Sequence, residues 1–232
     1  MTGRLEGTPA RRSPLIHEGR ALVCDRRFEE QAFARGHRFV AGVDEVGRGA
    51  LCGPVVAGAV ILGASFPTEG LDDSKRLTAR RRRQLAERIR SEAQDWGVGA
   101  AEAEEIDQVG IVRATGLAIR RALEALHRPP DLVLVDGTRV AAIVAEQWPI
   151  IKGDAQSVSI AAASIIAKVT RDSLMERLGA RFPAYGLDRN KGYGTADHQA
   201  ALRRLGPIRP HRKTFIEGQR SLFDGGGALS SA

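Results

Sequence analysis

The segment FVAGVDEVGRGALCGPVVAGAVIL, residues 39–62, decides the fold. Its two apolar runs predict strands over 39–44 and 55–62, joined by a glycine-rich turn. The first run ends on Asp44 and Glu45, although acidic residues are seldom found next to buried positions. The segment therefore predicts two strands with a pair of carboxylates where the first one ends.

Strands and helices are predicted to alternate along the rest of the chain. Helices are predicted over 78–94, 106–127, 157–182 and 197–205, and further strands over 96–100 and 132–135. This order is typical of an α/β domain in which helices flank a mixed β-sheet.

Length and composition limit the class of protein. With 232 residues, 43% of them hydrophobic, the chain is long enough for one folded domain. No apolar stretch reaches the ~18 to 20 residues of a membrane span, and the N-terminus lacks the apolar run of a secretory signal. We therefore expect a cytoplasmic protein without a membrane partner. The two cysteines, Cys24 and Cys52, are too few for a disulfide framework and lack zinc-ligand spacing.

The charge balance indicates a polyanionic partner. Formal net charge is +7 and the sequence pI is about 10.1. A basic surface binds nucleic acid through phosphate contacts and the release of counterions. A solvated, arginine-rich surface would give the same balance, so charge alone leaves both interpretations open.

Acidic residues follow buried patterns at two further places. Asp136 ends the apolar run 132–135, and Asp172 continues the apolar face of the helix predicted over 157–182. Because ligands bind beyond the carboxyl ends of strands in α/β sheets, Asp44 and Asp136 are predicted to meet at one edge. Carboxylates without His or Cys suit Mg²⁺ or Mn²⁺ as ligands.

Other roles for these acids remain open from the pattern. An acid at a strand end also serves as a turn former, and Lys168, one turn before Asp172, could pair with it. Adjacent strand residues point to opposite faces, so Asp44 and Glu45 share one site only if the backbone bends there.

These residues lie in motifs that resemble the signature of the ribonuclease HII family. The motifs are AGVDEVGRGALCGPVVAGAVIL (41–62), LDDSKRL (71–77), LVLVDG (132–137), SIIAKVTRD (164–172) and NKGYGTADH (190–198). They occur in the family's order and cover residues 38–215. The resemblance implies a ribonuclease H-like fold with a helical C-terminal region. It also implies an active site in which Asp44, Glu45, Asp136 and Asp172 hold two Mg²⁺ or Mn²⁺ ions.

The activity implied by the resemblance is endonucleolytic. Such an enzyme hydrolyses the RNA strand of RNA–DNA hybrids and cuts on the 5′ side of single ribonucleotides embedded in duplex DNA. Two-metal hydrolysis would leave a 5′-phosphate and a 3′-hydroxyl. The implied roles are ribonucleotide removal from DNA and the processing of RNA primers.

The resemblance also assigns residues that recognise the sugar. Gly47, Arg48 and Gly49 resemble the family's Gly-Arg-Gly element, which senses the 2′-hydroxyl that distinguishes RNA from DNA. Tyr193 matches a tyrosine that packs on the sugar of the next nucleotide. Without the resemblance, the glycines would be taken as an ordinary turn and Tyr193 as a core or loop aromatic.

Basic residues in the same motifs are expected to contact phosphates. These are Lys75 and the run His211, Arg212 and Lys213, which the pattern alone would describe as solvated. The arginines at 80–83 are consecutive in a helix and spread around it, which indicates a solvated surface.

Three regions are expected along the chain. Residues 1–20 form a flexible arm, residues 21–217 the ribonuclease H-like catalytic domain, and residues 218–232 a flexible tail. Within the tail, QRSLF at 219–223 resembles the peptide by which bacterial replication proteins dock to the sliding clamp, with Gln219, Leu222 and Phe223 as contacts. Alternatively, Leu222 and Phe223 pack on the domain. A monomer is expected.

Two other functions stay open at this point. One is a type 1 ribonuclease H or a DNA exonuclease on a similar fold, which a duplex with a single ribonucleotide would distinguish. The other is a non-catalytic nucleic-acid-binding module, which predicts binding without metal-dependent cleavage and leaves the buried acids unexplained.

Overall fold

A computed structural model describes the backbone of residues 22–224 and the side chains of residues 22–218. The arm expected at 1–20 lies outside the described residues. The strands are β1 (Val40–Val46), β2 (Val55–Ile61), β3 (Asp95–Ala101), β4 (Leu132–Asp136) and β5 (Glu146–Ile150). The helices are α1 (Arg27–Ala34), α2 (Ala79–Glu92), α3 (Ala103–Val109), α4 (Ile111–Glu124), α5 (Val158–Arg181), α6 (Leu187–Asn190), α7 (Ala196–Leu205) and α8 (Lys213–Asp224).

The five strands form one mixed sheet in the order β3-β2-β1-β4-β5. β1 is antiparallel to β2, and β2 to β3, whereas β4 runs parallel to both β1 and β5. Val43 lies opposite Val135 in the parallel pair, which places the next residues, Asp44 and Asp136, side by side at one edge. The predicted α/β architecture and the predicted meeting of these two acids are confirmed.

Helices cover both faces of the sheet. Val43 and Val135 pack on the α4 face, in a core that includes Ala118 and Ile119. On the other face, α5 lies across β1 and β2, and its Ile165 and Ile166 share a core with Leu85 of α2. No helix within residues 22–224 is both long and apolar enough to cross a membrane.

Several elements differ from the predictions. The helix predicted over 106–127 is two helices, because Gly110 interrupts it with a φ of 78° that ends α3 and starts α4. Strand β5 was not predicted, since it is short and contains Pro149, which is tolerated because β5 is an edge strand. Helix α8 continues to Asp224, so residues 218–224 of the predicted tail are helical.

Candidate active site

Three acidic side chains converge where the parallel strands end. Asp44 lies in β1, Asp136 ends β4, and Asp154 lies in the short 3₁₀ turn Gly153–Ala155 between β5 and α5. One carboxylate oxygen from each lies within 4.8 Å of the others. Asp44 and Asp154 are only 6% and 5% exposed, so water screens little of their repulsion. This arrangement can hold a divalent cation.

The three closely spaced carboxylates of this cluster require a positive charge to compensate their repulsion. Burial and the charge of Asp136 raise the pKa of Asp44, while burial and the charge of Asp154 raise the pKa of Asp136. Ionised carboxylates this close and this buried are costly unless a cation compensates them. An all-oxygen ligand set suits a hard ion such as Mg²⁺ or Mn²⁺.

Hydrogen bonds fix each carboxylate of the cluster. Asp136 accepts from the Gly153 backbone N–H at 2.6 Å, and Asp154 accepts from Lys75 Nζ at 3.0 Å. Asp44 accepts from the Glu45 N–H at 2.7 Å and from the Ser164 hydroxyl of α5. The ligands are therefore held in place by backbone and side-chain donors around them.

The segment LDDSKRL, residues 71–77, contacts Asp154 directly and reaches Asp44 through Ser164. The Ser74 hydroxyl lies 2.9 Å from that of Ser164, which bonds to Asp44. Lys75 pairs with Asp154. Burial disfavours the Lys75 ammonium, but its hydrogen bond to Asp154 outweighs this and raises the Lys75 pKa. Lys75 therefore lies against the acid cluster, and its contact with a phosphate stays a prediction.

Glu45 points to the other face of the sheet, as alternation along a strand requires. Its Oε1 accepts from Arg48 Nη1 at 3.0 Å, and it lines a cleft of about 550 Å³ together with Asp136, Arg113 and Arg139. Glu45 is therefore adjacent to the cluster through Asp136 without belonging to the group of three. Its metal contact stays a prediction.

Asp172 is not among the three acids that converge, so the structure does not bring together the full carboxylate set expected from the sequence. Its Oδ1 accepts from Lys168 Nζ at 2.7 Å, the alternative that the sequence left open. Ser164 contacts Asp44, and Asp172 lies eight residues farther along α5, roughly 12 Å at ~1.5 Å per residue. Asp172 lines a separate cleft beside α2.

Asp154 is the acid of the cluster that was not predicted from the sequence. A signal was present: Asp154 follows the run 146–150 and precedes Ser157, whose side chain caps α5. Because β5 was not predicted, its end was not considered as a place for a ligand.

The GRG loop, residues 47–49, follows β1 directly. Gly47 has a φ of 92°, and a Cβ there would lie 2.1 Å from Arg171 Nε. Gly49 differs, because its φ is not positive and no atom lies within 4 Å of the Cβ that it lacks. The fold therefore requires a glycine at 47, whereas at 49 the absence of a side chain leaves open space.

The expected phosphate contacts of His211 and Arg212 are wrong, since both side chains are buried. Arg212 donates to the carbonyls of Gly47 and Arg48 at 2.7 and 2.8 Å. These two carbonyls lie in the turn after β1 and have no partner in a helix or strand, so the Arg212 side chain satisfies them. Lys213, the third residue of this basic run, is exposed, and its phosphate contact stays a prediction.

Tyr193 lies beside the GRG loop. The Gly192 carbonyl accepts from the Leu51 and Cys52 N–H groups at 2.8 and 3.2 Å, which ties the KGYG loop, residues 191–194, to the segment after the GRG loop. The Tyr193 side chain is 36% exposed, and its ring packs on the Arg171 guanidinium at 5.4 Å. The Arg171 guanidinium therefore packs against the Tyr193 ring, and part of the ring remains exposed beside the GRG loop.

Replacing Asp136 with Asn should stabilise the metal-free protein at neutral pH. Because burial and Asp154 raise the pKa of Asp136, the folded state resists ionisation, and its stability falls as pH rises through the raised pKa. Asn keeps an oxygen that can accept the hydrogen bond from the Gly153 N–H, but it carries no charge. We expect a higher free energy of unfolding in EDTA at pH 7 and a smaller gain at pH 4. Urea denaturation at both pH values measures this, and a loss at pH 7 would contradict it.

Comparison with known proteins gives consistent similarities. Residues 41–217 match the family model described as Ribonuclease HII. A Ribonuclease HII of Parasynechococcus marenigrum is 56% identical over 185 residues, covering 78% of this chain and 83% of that protein. The crystal structure of a ribonuclease H2 from Pyrococcus horikoshii is 28% identical, with a TM-score of 0.67, covering 81% of this chain and 99% of that one. The RNase HII in a PCNA complex from Archaeoglobus fulgidus is 26% identical, with a TM-score of 0.65, covering 76% of this chain and 94% of that one.

Proposed function

The chain belongs to the ribonuclease HII family and is a ribonuclease H endonuclease, and we propose that it cuts 5′ to single ribonucleotides in duplex DNA. RNA–DNA hybrids are proposed as a further substrate. The observation that carries this proposal is the convergence of Asp44, Asp136 and Asp154 within 4.8 Å, next to the GRG loop. Acids repel a phosphodiester unless a cation lies between them, so the cluster favours metal-dependent hydrolysis over simple binding.

Asp44, Asp136 and Asp154 are proposed to hold two Mg²⁺ or Mn²⁺ ions, with Glu45 contributing from the adjoining cleft. When bound, the ions supply an activated water and stabilise the leaving 3′-oxygen, which gives a 5′-phosphate and a 3′-hydroxyl. Arg48, Arg113 and Arg139 line that cleft and would attract the phosphate backbone. Lys75 and Lys213 are proposed as further phosphate contacts.

Recognition of the ribonucleotide is proposed to rest on the GRG loop and Tyr193. The open space at Gly49 lets a sugar approach backbone groups closely, and the 2′-hydroxyl is the group that separates RNA from DNA. Tyr193, supported by Arg171, offers a flat surface for the sugar of the following nucleotide.

Alanine at the two glycines of the GRG loop should affect different properties: activity at Gly49 and stability at Gly47. Gly49→Ala should leave the free energy of unfolding within about 0.5 kcal/mol of wild type. It should lower kcat/KM on a single-ribonucleotide duplex by about 10-fold, because the methyl group fills the space for the sugar. Gly47→Ala should destabilise the fold, because of its φ of 92° and its contact with Arg171. Urea denaturation and steady-state kinetics distinguish the two, and equal destabilisation would contradict this.

The proposed activity is tested with a labelled DNA duplex that carries one embedded ribonucleotide, in Mg²⁺, Mn²⁺ or EDTA. We expect metal-dependent cleavage on the 5′ side of that ribonucleotide and none in the matched all-DNA duplex. Cleavage of long RNA–DNA hybrids alone would instead favour type 1 specificity. Binding without metal-dependent cleavage would favour a non-catalytic module.

A clamp contact is proposed for QRSLF, residues 219–223, whose side chains lie outside those described. In support, a relative from Archaeoglobus fulgidus with 26% identity forms a complex with PCNA. Pull-down with the bacterial sliding clamp should retain the wild type and lose the Leu222→Ala/Phe223→Ala double variant. Equal retention of both proteins would contradict the proposal.

A further inference from the structure

Two buried arginines lie behind the GRG loop. Arg171 of α5 and Arg212, just before α8, are both 0% exposed and are the largest fully buried side chains. Among the side chains described, residues 22–218, neither forms an ion pair within 4.0 Å. Their hydrogen bonds go to backbone carbonyls instead. We call this pair the arginine clamp.

The clamp joins three loops. Arg212 donates to Gly47 and Arg48 of the GRG loop and to Gly53 at 3.0 Å. Arg171 donates to Cys52 and Pro54 at 3.2 and 2.9 Å, and to Lys191 of the KGYG loop at 2.9 Å. The guanidinium forks therefore fix the GRG loop and the Tyr193 loop relative to each other, through the segment 52–54 that lies between them.

Fold stability alone is a poor explanation for the clamp. A buried cation without a counterion costs free energy, and replacing buried ions by apolar groups is often stabilising. The two cations also repel, since burial and then the charge of Arg171 lower the pKa of Arg212 to about 10. Costly local features of this kind are expected at functional sites.

A neighbouring histidine pair also bonds to the Tyr193 loop. His198 and His211 are buried, and their Nε2 atoms lie 3.1 Å apart. His198 Nδ1 bonds to the Tyr193 carbonyl at 2.9 Å, and His211 directly precedes Arg212. Tyr193 is thus held through its ring by Arg171 and through its backbone by His198.

We propose that Arg171 and Arg212 are positioning residues for ribonucleotide recognition, which hold the GRG loop and Tyr193 at the spacing that one ribonucleotide and its 3′ neighbour require. This rests on the proposed function. Neither side chain reaches the substrate, so both act through the backbone groups they hold. A lysine keeps the charge but loses the planar fork that bonds several carbonyls at once.

The test compares full-length wild type with Arg212→Lys and with Arg209→Lys, a nearby exposed control that pairs with Glu104. Fluorescence anisotropy in EDTA measures the ratio of Kd values for an all-DNA duplex and for the same duplex with one ribonucleotide. We expect Arg212→Lys to lower this ratio, the Kd for the all-DNA duplex divided by that for the ribonucleotide duplex, by about 10-fold, as for the loss of roughly one hydrogen bond to the 2′-hydroxyl, while Kd for the all-DNA duplex changes little. Arg209→Lys should keep the wild-type ratio.

The outcomes separate this proposal from the one on which it rests. No ribonucleotide preference in the wild type would contradict the proposed function. A wild-type preference retained in folded Arg212→Lys would overturn the positioning role. If Arg212→Lys does not fold, as judged by circular dichroism, Arg171→Lys is the second variant, with the same expected loss. Unfolding of both would assign the clamp to stability alone and overturn the proposal.

Discussion

Replacing Asp154 with Asn is expected to lower the rate of Mg²⁺-dependent cleavage by at least about 100-fold, because a neutral amide is a poor ligand for a hard cation. Asp154 shares with Asp44 and Asp136 the group of carboxylates within 4.8 Å. Asn can still accept a hydrogen bond from Lys75 through its remaining oxygen, so the fold should be preserved. Asp154→Asn thus removes the negative charge of the carboxylate and keeps the shape of the side chain.

Asp172→Asn is the matched control. It makes the same chemical change in an acid that pairs with Lys168, about 12 Å along α5 from the contact with Asp44. We expect its cleavage rate to stay within about 3-fold of wild type, since a partly exposed ion pair contributes ~1 kcal/mol or less.

Single-turnover kinetics at saturating Mg²⁺ measures both variants, and calorimetric titration with Mn²⁺ gives a readout independent of turnover. Asp154→Asn should show weakened or absent Mn²⁺ binding, whereas Asp172→Asn should bind as wild type does. The reverse pattern, with Asp172→Asn inactive and Asp154→Asn active, would return Asp172 to the metal site.

The contrast between Asp154 and Asp172 shows which parts of the site could be predicted from sequence patterns. Asp44 and Asp136 could be predicted to meet because both end apolar strands, and parallel neighbours end at the same edge. Helical periodicity predicted Asp172 on the buried face of α5, but the buried residue in that turn is Arg171, and Asp172 is half-buried and lines the cleft beside α2. Asp154 was missed because the strand that delivers it is a short edge strand containing Pro149.

Arg212 was misjudged for a different reason. Its partners are the carbonyls of Gly47, Arg48 and Gly53, more than 150 residues earlier in the chain. Every residue has a carbonyl, so no side-chain pattern marks those that lack a partner in helices or strands. A basic run looks solvated in sequence even when tertiary structure buries it.

A large loss of stability is expected from alanine at Gly42, in the middle of β1. A Cβ there would lie 2.2 to 2.4 Å from backbone atoms of Ser159 and Ile160 in α5, which cannot move aside as a flexible side chain would. Gly42→Ala must therefore separate β1 from α5. We expect it to lower the free energy of unfolding by about 3 kcal/mol or more, at the upper end for overpacked cores.

Gly63→Ala is the control, because nothing lies within 4 Å of its Cβ position. It should change stability by no more than about 0.5 kcal/mol. Urea denaturation of the full chain measures both variants. A loss below about 1 kcal/mol in Gly42→Ala would mean that α5 does not press on β1 as closely as the contact with Ser159 requires.

The consequence of Gly42→Ala for activity follows from the same contact. Asp44 lies two residues after Gly42 on the same face of β1, and Ser164 of α5 donates to it. Separating β1 from α5 moves this donor away from the carboxylate and shifts Asp44 relative to Asp136. Variants that remain folded at low temperature should therefore lose Mn²⁺ affinity as well as stability. The two losses are coupled because the helix that packs on the central strand also positions the metal ligand that the strand carries.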